Sequence, residues 1–212
     1  IPDVTVDEDA SPFDVPVTVT PDAVEGDPVA SVTIVSIAPA GIVQASISPT
    51  EPWIISVTPL PDAYGQASIT VRATDTADDW SERSFTVTVN PVNDAPTIAP
   101  IGPQATDEDV ALAVAVHVAD ADPGDVLTVT ASSSDPAVVA ATGLVVSGSG
   151  TERTLTITPV ANASGVTTIT VTVDDGTAAP VSTGFQLTVR PVNDAPTIAP
   201  IGPQATDEDV PL

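Results

Sequence analysis

The feature of this sequence that most constrains its fold is a long internal copy. The twenty residues PVNDAPTIAPIGPQATDEDV occupy positions 91–110 and recur without change at positions 191–210. The same spacing of 100 residues relates shorter matches outside the copy, such as Ile69-Thr-Val71 and Ile169-Thr-Val171. Self-similarity at a fixed period is the sequence signature of a repeat architecture. The chain is therefore predicted to be an array of similar domains.

The period also predicts where the domains begin and end. Asp7-Glu8-Asp9 has the same phase as Asp107-Glu108-Asp109, so the chain starts just inside one repeat. We expect a first repeat over residues 1–92, a second over residues 93–192, and the linker and start of a truncated third over residues 193–212. The whole is expected to be a piece of a longer array.

The net charge restricts the partners of the chain. Four basic and 29 acidic residues give a formal charge of −25, so electrostatic repulsion argues against nucleic acid and anionic membranes as partners. The sequence has no Cys, which excludes disulfides and thiolate metal sites. No apolar run approaches the roughly 18 residues of a membrane span, so no membrane insertion is expected in this piece.

Hydrophobic residues alternate with polar ones in several short segments. This period of two is typical of half-buried strands, and no stretch has helical spacing. About seven such strands in about a hundred residues is typical of an immunoglobulin-type sandwich. We therefore predict an all-β chain of tandem Greek-key β-sandwiches with about seven strands per repeat. The clearest segments are Phe13–Thr20, Ser68–Val71, Phe85–Val89, Thr154–Ile157, Ile169–Val173 and Phe185–Val189.

Acidic residues gather around the segment that joins the two predicted repeats. In Pro91-Val-Asn-Asp-Ala-Pro96, two prolines restrict the backbone around an Asn-Asp pair. Further clusters are Asp7-Glu8-Asp9, Asp120-Ala-Asp122-Pro-Gly-Asp125 and Asp174-Asp175, and a Greek-key sandwich is expected to bring the latter two loops to one end of the domain. Calcium takes six to eight oxygen ligands from such side chains. The sequence therefore predicts calcium at the junction.

The linker and its acidic neighbours resemble the motifs of cadherin repeats. Val92-Asn-Asp-Ala-Pro96, Asp120-Ala-Asp122 and Ala73-Thr-Asp75 carry the likeness, with Glu8 and Glu108. The pattern of strand, Pro-Val-Asn-Asp-Ala-Pro-Thr and strand is more similar still to the cadherin-like repeats of large bacterial surface adhesins. The resemblance implies sandwiches with calcium between them, serving as a stiff extracellular stalk on the bacterial surface. Neighbouring repeats of the same chain would be the main partners.

The resemblance also implies a set of calcium ligands. Some departures from the cadherin pattern, such as Pro91 ahead of the Asn-Asp pair, predict fewer ions per junction than in cadherins. The expected ligands at the first junction are Glu8, Asn93, Asp94, Asp120, Asp122 and Asp175 or its neighbour Asp174, and those at the second are Glu108, Asn193 and Asp194.

The sequence leaves two other non-enzymatic functions open. One is a subunit of an extracellular filament whose repeats associate side by side. The other is an adhesive module that binds a protein or glycan, for which Trp80 is the candidate contact residue. Catalysis is not expected, because the single histidine, His117, alternates with Val116 and Val118 and has no nucleophile beside it.

Overall fold

The computed structural model describes residues 1–21, 27–205 and 207–209. Within these residues the chain forms two compact units. The first comprises Ile1–Thr97 together with Ala119–Thr128 and Asp174–Val181. The second comprises Ile98–Val118, Val129–Val173 and the described residues from Ser182 onward. Of the predicted third repeat, residues 206 and 210–212 lie outside the described part of the chain.

The first unit contains a sandwich of two β-sheets. Its strands are Val4–Asp7 (β1), Phe13–Val17 (β2), Val29–Ala38 (β3), Val43–Ile47 (β4), Trp53–Pro59 (β5), Gly65–Asp75 (β6) and Trp80–Asn90 (β7). One sheet has the order β1-β7-β6-β3 and the other the order β2-β5-β4. Strand β1 pairs in parallel with β7, and Val4 lies opposite Val87, whereas the other strand pairs of these sheets are antiparallel.

The core of this sandwich follows from the alternation in the sequence. Every second residue of β5, from Trp53 to Pro59, is buried, because successive side chains of a strand point to opposite faces. In β6 and β7 the same alternation buries Ile69, Val71 and Phe85. These side chains form one hydrophobic cluster with the buried residues of β5, so a single core stabilises both sheets.

The second sandwich has one more strand pairing than the first. Its strands are Thr97–Ile98 (β8), Gln104–Asp107 (β9), Leu112–Ala119 (β10), Thr128–Ser133 (β11), Leu144–Ser149 (β12), Glu152–Ile157 (β13), Gly165–Asp174 (β14) and Val181–Arg190 (β15). Its sheets have the orders β12-β13-β10-β8 and β11-β14-β15-β9, and β9 pairs in parallel with β15 as β1 does with β7. A short 3-10 turn, Ala141–Gly143, precedes β12.

Strand registers show that the spacing of the repeats is not constant. Phe13 pairs with Val57, and Leu112 pairs with Ile157. Since Val57 and Ile157 are equivalent by sequence, Phe13 corresponds to Leu112, and residues of β2 correspond to residues of β10 at a spacing one shorter than the period. The first repeat therefore holds one additional residue between β1 and β2.

The structure confirms the all-β prediction, and each of the six predicted segments overlaps a strand. Trp80, the candidate contact residue of an adhesive module, is the first residue of β7. Its indole is exposed, and the Arg72 guanidinium lies 4.4 Å from the ring centroid. Within the described ranges, the chain forms no helix with the length and apolar character that crossing a membrane requires.

Replacing Gly143 with alanine is expected to destabilise the second sandwich by about 1–3 kcal/mol. A Cβ at this position would lie 2.3 Å from the carbonyl oxygen of Thr158, whose own N–H donates to the Gly143 carbonyl. Gly102→Ala is the matched control, because a Cβ there meets no atom within 4 Å. Chemical denaturation of both variants measures the difference, and equal stabilities would contradict the packing argument.

Candidate metal site

Three segments of the first compact unit meet beside Glu8. They are the linker 91–96 and the loops 119–128 and 174–181, and each carries acidic or amide side chains. Strand β14 ends at Asp174 and positions the last of these loops. The predicted acidic clusters are therefore brought together within one compact unit.

Glu8 fixes the start of the linker. Its N–H donates to the carbonyl of Asn90 over 2.9 Å, and its Oε1 accepts the N–H of Val92 over 2.7 Å. The side chain is only 3% exposed, and among the described residues its Oε2 is buried without a hydrogen-bond partner. Burying a carboxylate oxygen without a partner is costly, so this atom is a candidate ligand for a cation.

Glu108 repeats this arrangement in the second unit. Its N–H donates to the Arg190 carbonyl, its Oε1 accepts the Val192 N–H over 2.6 Å, and it is 7% exposed. The buried glutamate is thus part of how each sandwich holds the segment that follows its last strand.

The Asn-Asp pair of the linker connects to both acidic loops. The Asp94 N–H donates to Asp122 Oδ2 over 2.7 Å. The Asn93 side-chain amide donates to Asp175 Oδ2 over 2.9 Å and to the Asp94 carbonyl over 2.8 Å. These bonds hold the linker carboxylate between the loops.

One group of carboxylates is formed by Asp9, Asp62 and Asp94. One oxygen from each lies within 4.8 Å of the other two. Burial raises the pKa of Asp94, and the nearby carboxylates of Asp9, Asp62, Asp122 and Glu8 raise it further. Asp94 Oδ2 is buried and has no hydrogen-bond partner among the described residues. In this group, therefore, the carboxylates repel one another, and one buried carboxylate oxygen has no hydrogen-bond partner among the described residues.

A second group is formed by Asp120, Asp125 and Asp175, whose oxygens also lie within 4.8 Å of one another. Asp120 Oδ1 accepts the N–H of Asp122, while its Oδ2 is buried and unpaired within the described chain. Desolvation, followed by the charges of Asp120, Asp122 and Asp175, raises the pKa of Asp125. The Asn93 amide and then the Thr177 N–H lower the pKa of Asp175, so this carboxylate is held ionised.

These groups fit a hard divalent cation. Two like unit charges 4 Å apart repel each other by about 4 kcal/mol at an intermediate dielectric. A cation placed between them makes the net electrostatic interaction attractive. The donors are all oxygens, which suit calcium, magnesium or manganese rather than softer metals. The one histidine, His117, instead contacts Glu152 in the second unit. The three unpaired carboxylate oxygens are the atoms that such an ion would satisfy.

The structure brings together most of the residues predicted for the first junction. Asp174 lies outside both carboxylate groups found among the described residues, and its Oδ1 accepts the N–H of Gly176 instead. Asn193 and Asp194, predicted for the second junction, are exposed, and their role with Glu108 stays a prediction. The predicted residues that gather in the first unit are Glu8, Asn93, Asp94, Asp120, Asp122 and Asp175.

Sequence reasoning did not select Asp9, Asp62 or Asp125 as ligands. Asp9 and Asp62 adopt left-handed backbone conformations, with φ of 60° and 54°, which Asp and Asn tolerate better than most residues. Both side chains lie near the linker carboxylate Asp94, and no spacing rule in the sequence identifies them. For Asp9, membership in the acidic cluster Asp7-Glu8-Asp9 was the available signal.

The fold and its repetition define the chain as a tandem array of immunoglobulin-like β-sandwiches. A family model described as a bacterial Ig domain matches residues 1–90 and again residues 93–188. Because these matches cover most of the chain, the protein belongs to the bacterial Ig domain family.

Solved structures with the same fold include cadherin ectodomains. Extracellular cadherin domains 3–6 of protocadherin gamma B2 match at a TM-score of 0.55 and 18% identity, over 91% of this chain and 47% of that one. Domains EC3-6 of protocadherin gammaB7 match at 0.48 and 20% identity, over 78% and 41% of the two chains. The present chain thus spans less than half of either structure, and such identities show the fold alone. No curated protein matches the chain significantly.

Proposed function

We propose that this chain is a calcium-stiffened structural segment of an exported bacterial surface adhesin. The single observation that carries the proposal is the set of three buried, unpaired carboxylate oxygens, on Glu8, Asp94 and Asp120, among the described residues. Calcium is favoured over magnesium because it accepts irregular sets of six to eight oxygens, whereas magnesium requires near-octahedral geometry. The cadherin-like fold supports this choice of ion.

The carboxylates form two groups, and each group would bind one calcium ion. Asp9, Asp62 and Asp94 would hold one ion, with Glu8 close by, and Asp120, Asp125 and Asp175 would hold the other. Asp122 is close to both groups. Its Oδ2 accepts the Asp94 N–H, and its charge contributes to the raised pKa of Asp94 and of Asp125. An ion at each site replaces repulsion by attraction.

The function that follows is mechanical. Without calcium, ionisation of Asp94 and Asp125 costs more free energy than in a solvated aspartate, because desolvation and the neighbouring carboxylates raise both pKa values. With calcium, one ion would hold the linker carboxylate Asp94 to Asp9 and Asp62, and the other would hold the two loops together through Asp120, Asp125 and Asp175. Hydrogen bonds from Asn93 and Asp94 to those loops connect the two sites, so the segment that joins the two family repeats becomes rigid. A rigid segment limits bending between successive repeats of an array, as a stalk requires. No catalytic role is included in this proposal.

Calcium titration by calorimetry of chelator-stripped protein tests the proposal. We expect two saturable sites with dissociation constants of about 10⁻⁴ to 10⁻³ M, the range of extracellular modules, or tighter. The titration is repeated in excess magnesium, because diffuse attraction to a chain of charge −25 is shared by both cations. Heat of binding no larger than in the magnesium control would contradict a calcium site.

A further inference from the structure

A cavity of about 350 Å³ opens beside the linker. It is formed by the turn that precedes β6, the linker 91–96 and the loop 119–128. All three segments belong to the first compact unit, and none of them is at an end of the chain. The residues that line the cavity include Tyr64, Val92, Asn93, Asp122, Pro123 and Asp125.

The cavity combines exposed apolar surface with carboxylates. Tyr64 is 43% exposed and Val92 is 42% exposed, so both offer apolar surface to a ligand. Asp122 and Asp125 line the same cavity. Asp122 Oδ2 accepts the Asp94 N–H, and since a carboxylate has about four acceptor positions, Asp122 can accept further hydrogen bonds. A ligand that matches both features carries a positive charge on a partly apolar group.

Tyr64 is specific to the first repeat. It is the only tyrosine in the sequence, and at the period of 100 residues its counterpart is Ser164, although the glycine that follows recurs as Gly165. The second sandwich forms the corresponding strands without an aromatic residue at this position. The fold therefore does not require the ring, which makes it a candidate contact for a partner.

The first sandwich shows how an aromatic ring and a carboxylate together hold a guanidinium. Arg72 Nε and Nη2 donate to Glu82 Oε1 over 2.9 and 2.7 Å, and the same guanidinium lies 4.4 Å from the ring centroid of Trp80. Arginine suits such a site because its planar group donates hydrogen bonds at its edge and stacks on an aromatic face. The cavity beside the linker offers the same two kinds of group.

A second copy of this chain is a poor source of that guanidinium. Two chains with a net charge of −25 repel each other, and the sequence has four arginines and no lysine. Each arginine already has a contact among the described residues: Glu82 for Arg72, the Glu82 carbonyl for Arg83, the Gly150 carbonyl for Arg153 and Asp107 for Arg190. Charge complementarity instead favours a different, basic protein.

We propose that this cavity binds an arginine side chain of a basic partner protein. The guanidinium stacks on Tyr64 and donates to Asp122, while the aliphatic part of the arginine packs against Val92. Asp125 adds electrostatic attraction. Asp122 belongs to neither carboxylate group found among the described residues, so the contact does not depend on the proposed calcium binding.

Titration with blocked tripeptides, followed through backbone amide chemical shifts in chelator at constant ionic strength, tests the proposal. The probe is glycine-arginine-glycine, and its controls carry lysine or neutral citrulline in place of arginine. The arginine peptide should give saturable shifts at Tyr64 and Val92, with a dissociation constant of the order of 1–10 mM. Val192, in the second copy of the linker, should not shift. The lysine peptide should bind at least about threefold more weakly, and the citrulline peptide should not saturate. Equal binding of the arginine and lysine peptides would indicate diffuse attraction and overturn the proposal.

Substitutions at Tyr64 make the test specific for the ring. Tyr64→Ser, which introduces the residue type of the second repeat, should weaken binding of the arginine peptide by at least about threefold. Tyr64→Phe keeps the ring and should bind within about twofold of the parent chain, and the remaining amide shifts show that both variants are folded. Saturating calcium should leave the peptide bound, because Asp122 lies outside both carboxylate groups. Unchanged binding in Tyr64→Ser, or complete displacement by calcium, would overturn the proposal.

Discussion

Replacing Asp94 with asparagine should weaken calcium binding by at least about tenfold, because calcium affinity depends on the number of charged ligands. In the calcium-free protein the same substitution should raise stability. The folded-state pKa of Asp94 lies above its ordinary value, so ionisation destabilises the fold as pH rises through that pKa, and a neutral amide removes this penalty. Thermal unfolding at neutral pH with calcium and with chelator measures both effects.

The opposite signs of these two effects distinguish ligation from general packing. Asp194→Asn is the matched control, because Asp194 lies in the second copy of the same twenty residues and is exposed. It should change neither the calcium affinities of the two sites proposed above nor apo stability, because Asp194 belongs to neither carboxylate group found among the described residues. If Asp94→Asn lowers stability equally with calcium and with chelator, Asp94 is a structural residue and the proposed site is wrong.

The second large effect is expected from Asp120→Asn, which should reduce the calcium stoichiometry from two ions to one. Asp120 contributes to the second carboxylate group but not to the first, and its unpaired oxygen is the atom that the substitution neutralises. Binding to the group of Asp9, Asp62 and Asp94 should persist, because none of its three carboxylates is altered. Calorimetry gives the stoichiometry and the two affinities.

Asp174→Asn provides the comparison for this variant. Asp174 is adjacent to a member of the second group, but its Oδ1 caps the turn by accepting the Gly176 N–H. An asparagine retains that acceptor, so two ions should still bind. If Asp174→Asn loses one ion and Asp120→Asn still binds two, then Asp174 is a ligand and Asp120 is not, which would contradict the proposed site.

The sequence predicted the sandwiches because polar and apolar residues alternate strongly along their strands. The patterns of Ile169–Val173 and Phe185–Val189 fall within β14 and β15. By contrast, the register offset between β2 and β10 came from one additional residue in a connecting segment. Only strand pairing fixes such an offset, since a loop accommodates one residue without changing the pattern of either strand.

The candidate site was predictable where local sequence restricts the backbone. Prolines bracket Asn93 and Asp94, and the acidic loops stand out by composition. Asp62 was not predictable in the same way, because it reaches Asp94 from a turn with a left-handed residue. Its equivalent in the second repeat is Asn162, which carries no charge and whose backbone N–H donates to Asp109 Oδ1. Proximity of this kind depends on tertiary structure.

Amide hydrogen exchange by NMR, with saturating calcium and with magnesium as the matched control, tests directly whether calcium stiffens the linker. We expect slower exchange in calcium for residues 91–96, 119–128 and 174–181, since ligation stabilises these segments against local opening. Residues 191–196, which have the same sequence as the linker, should exchange at an unchanged rate. Equal exchange in the two cations throughout the linker and both loops would contradict calcium-dependent stiffening.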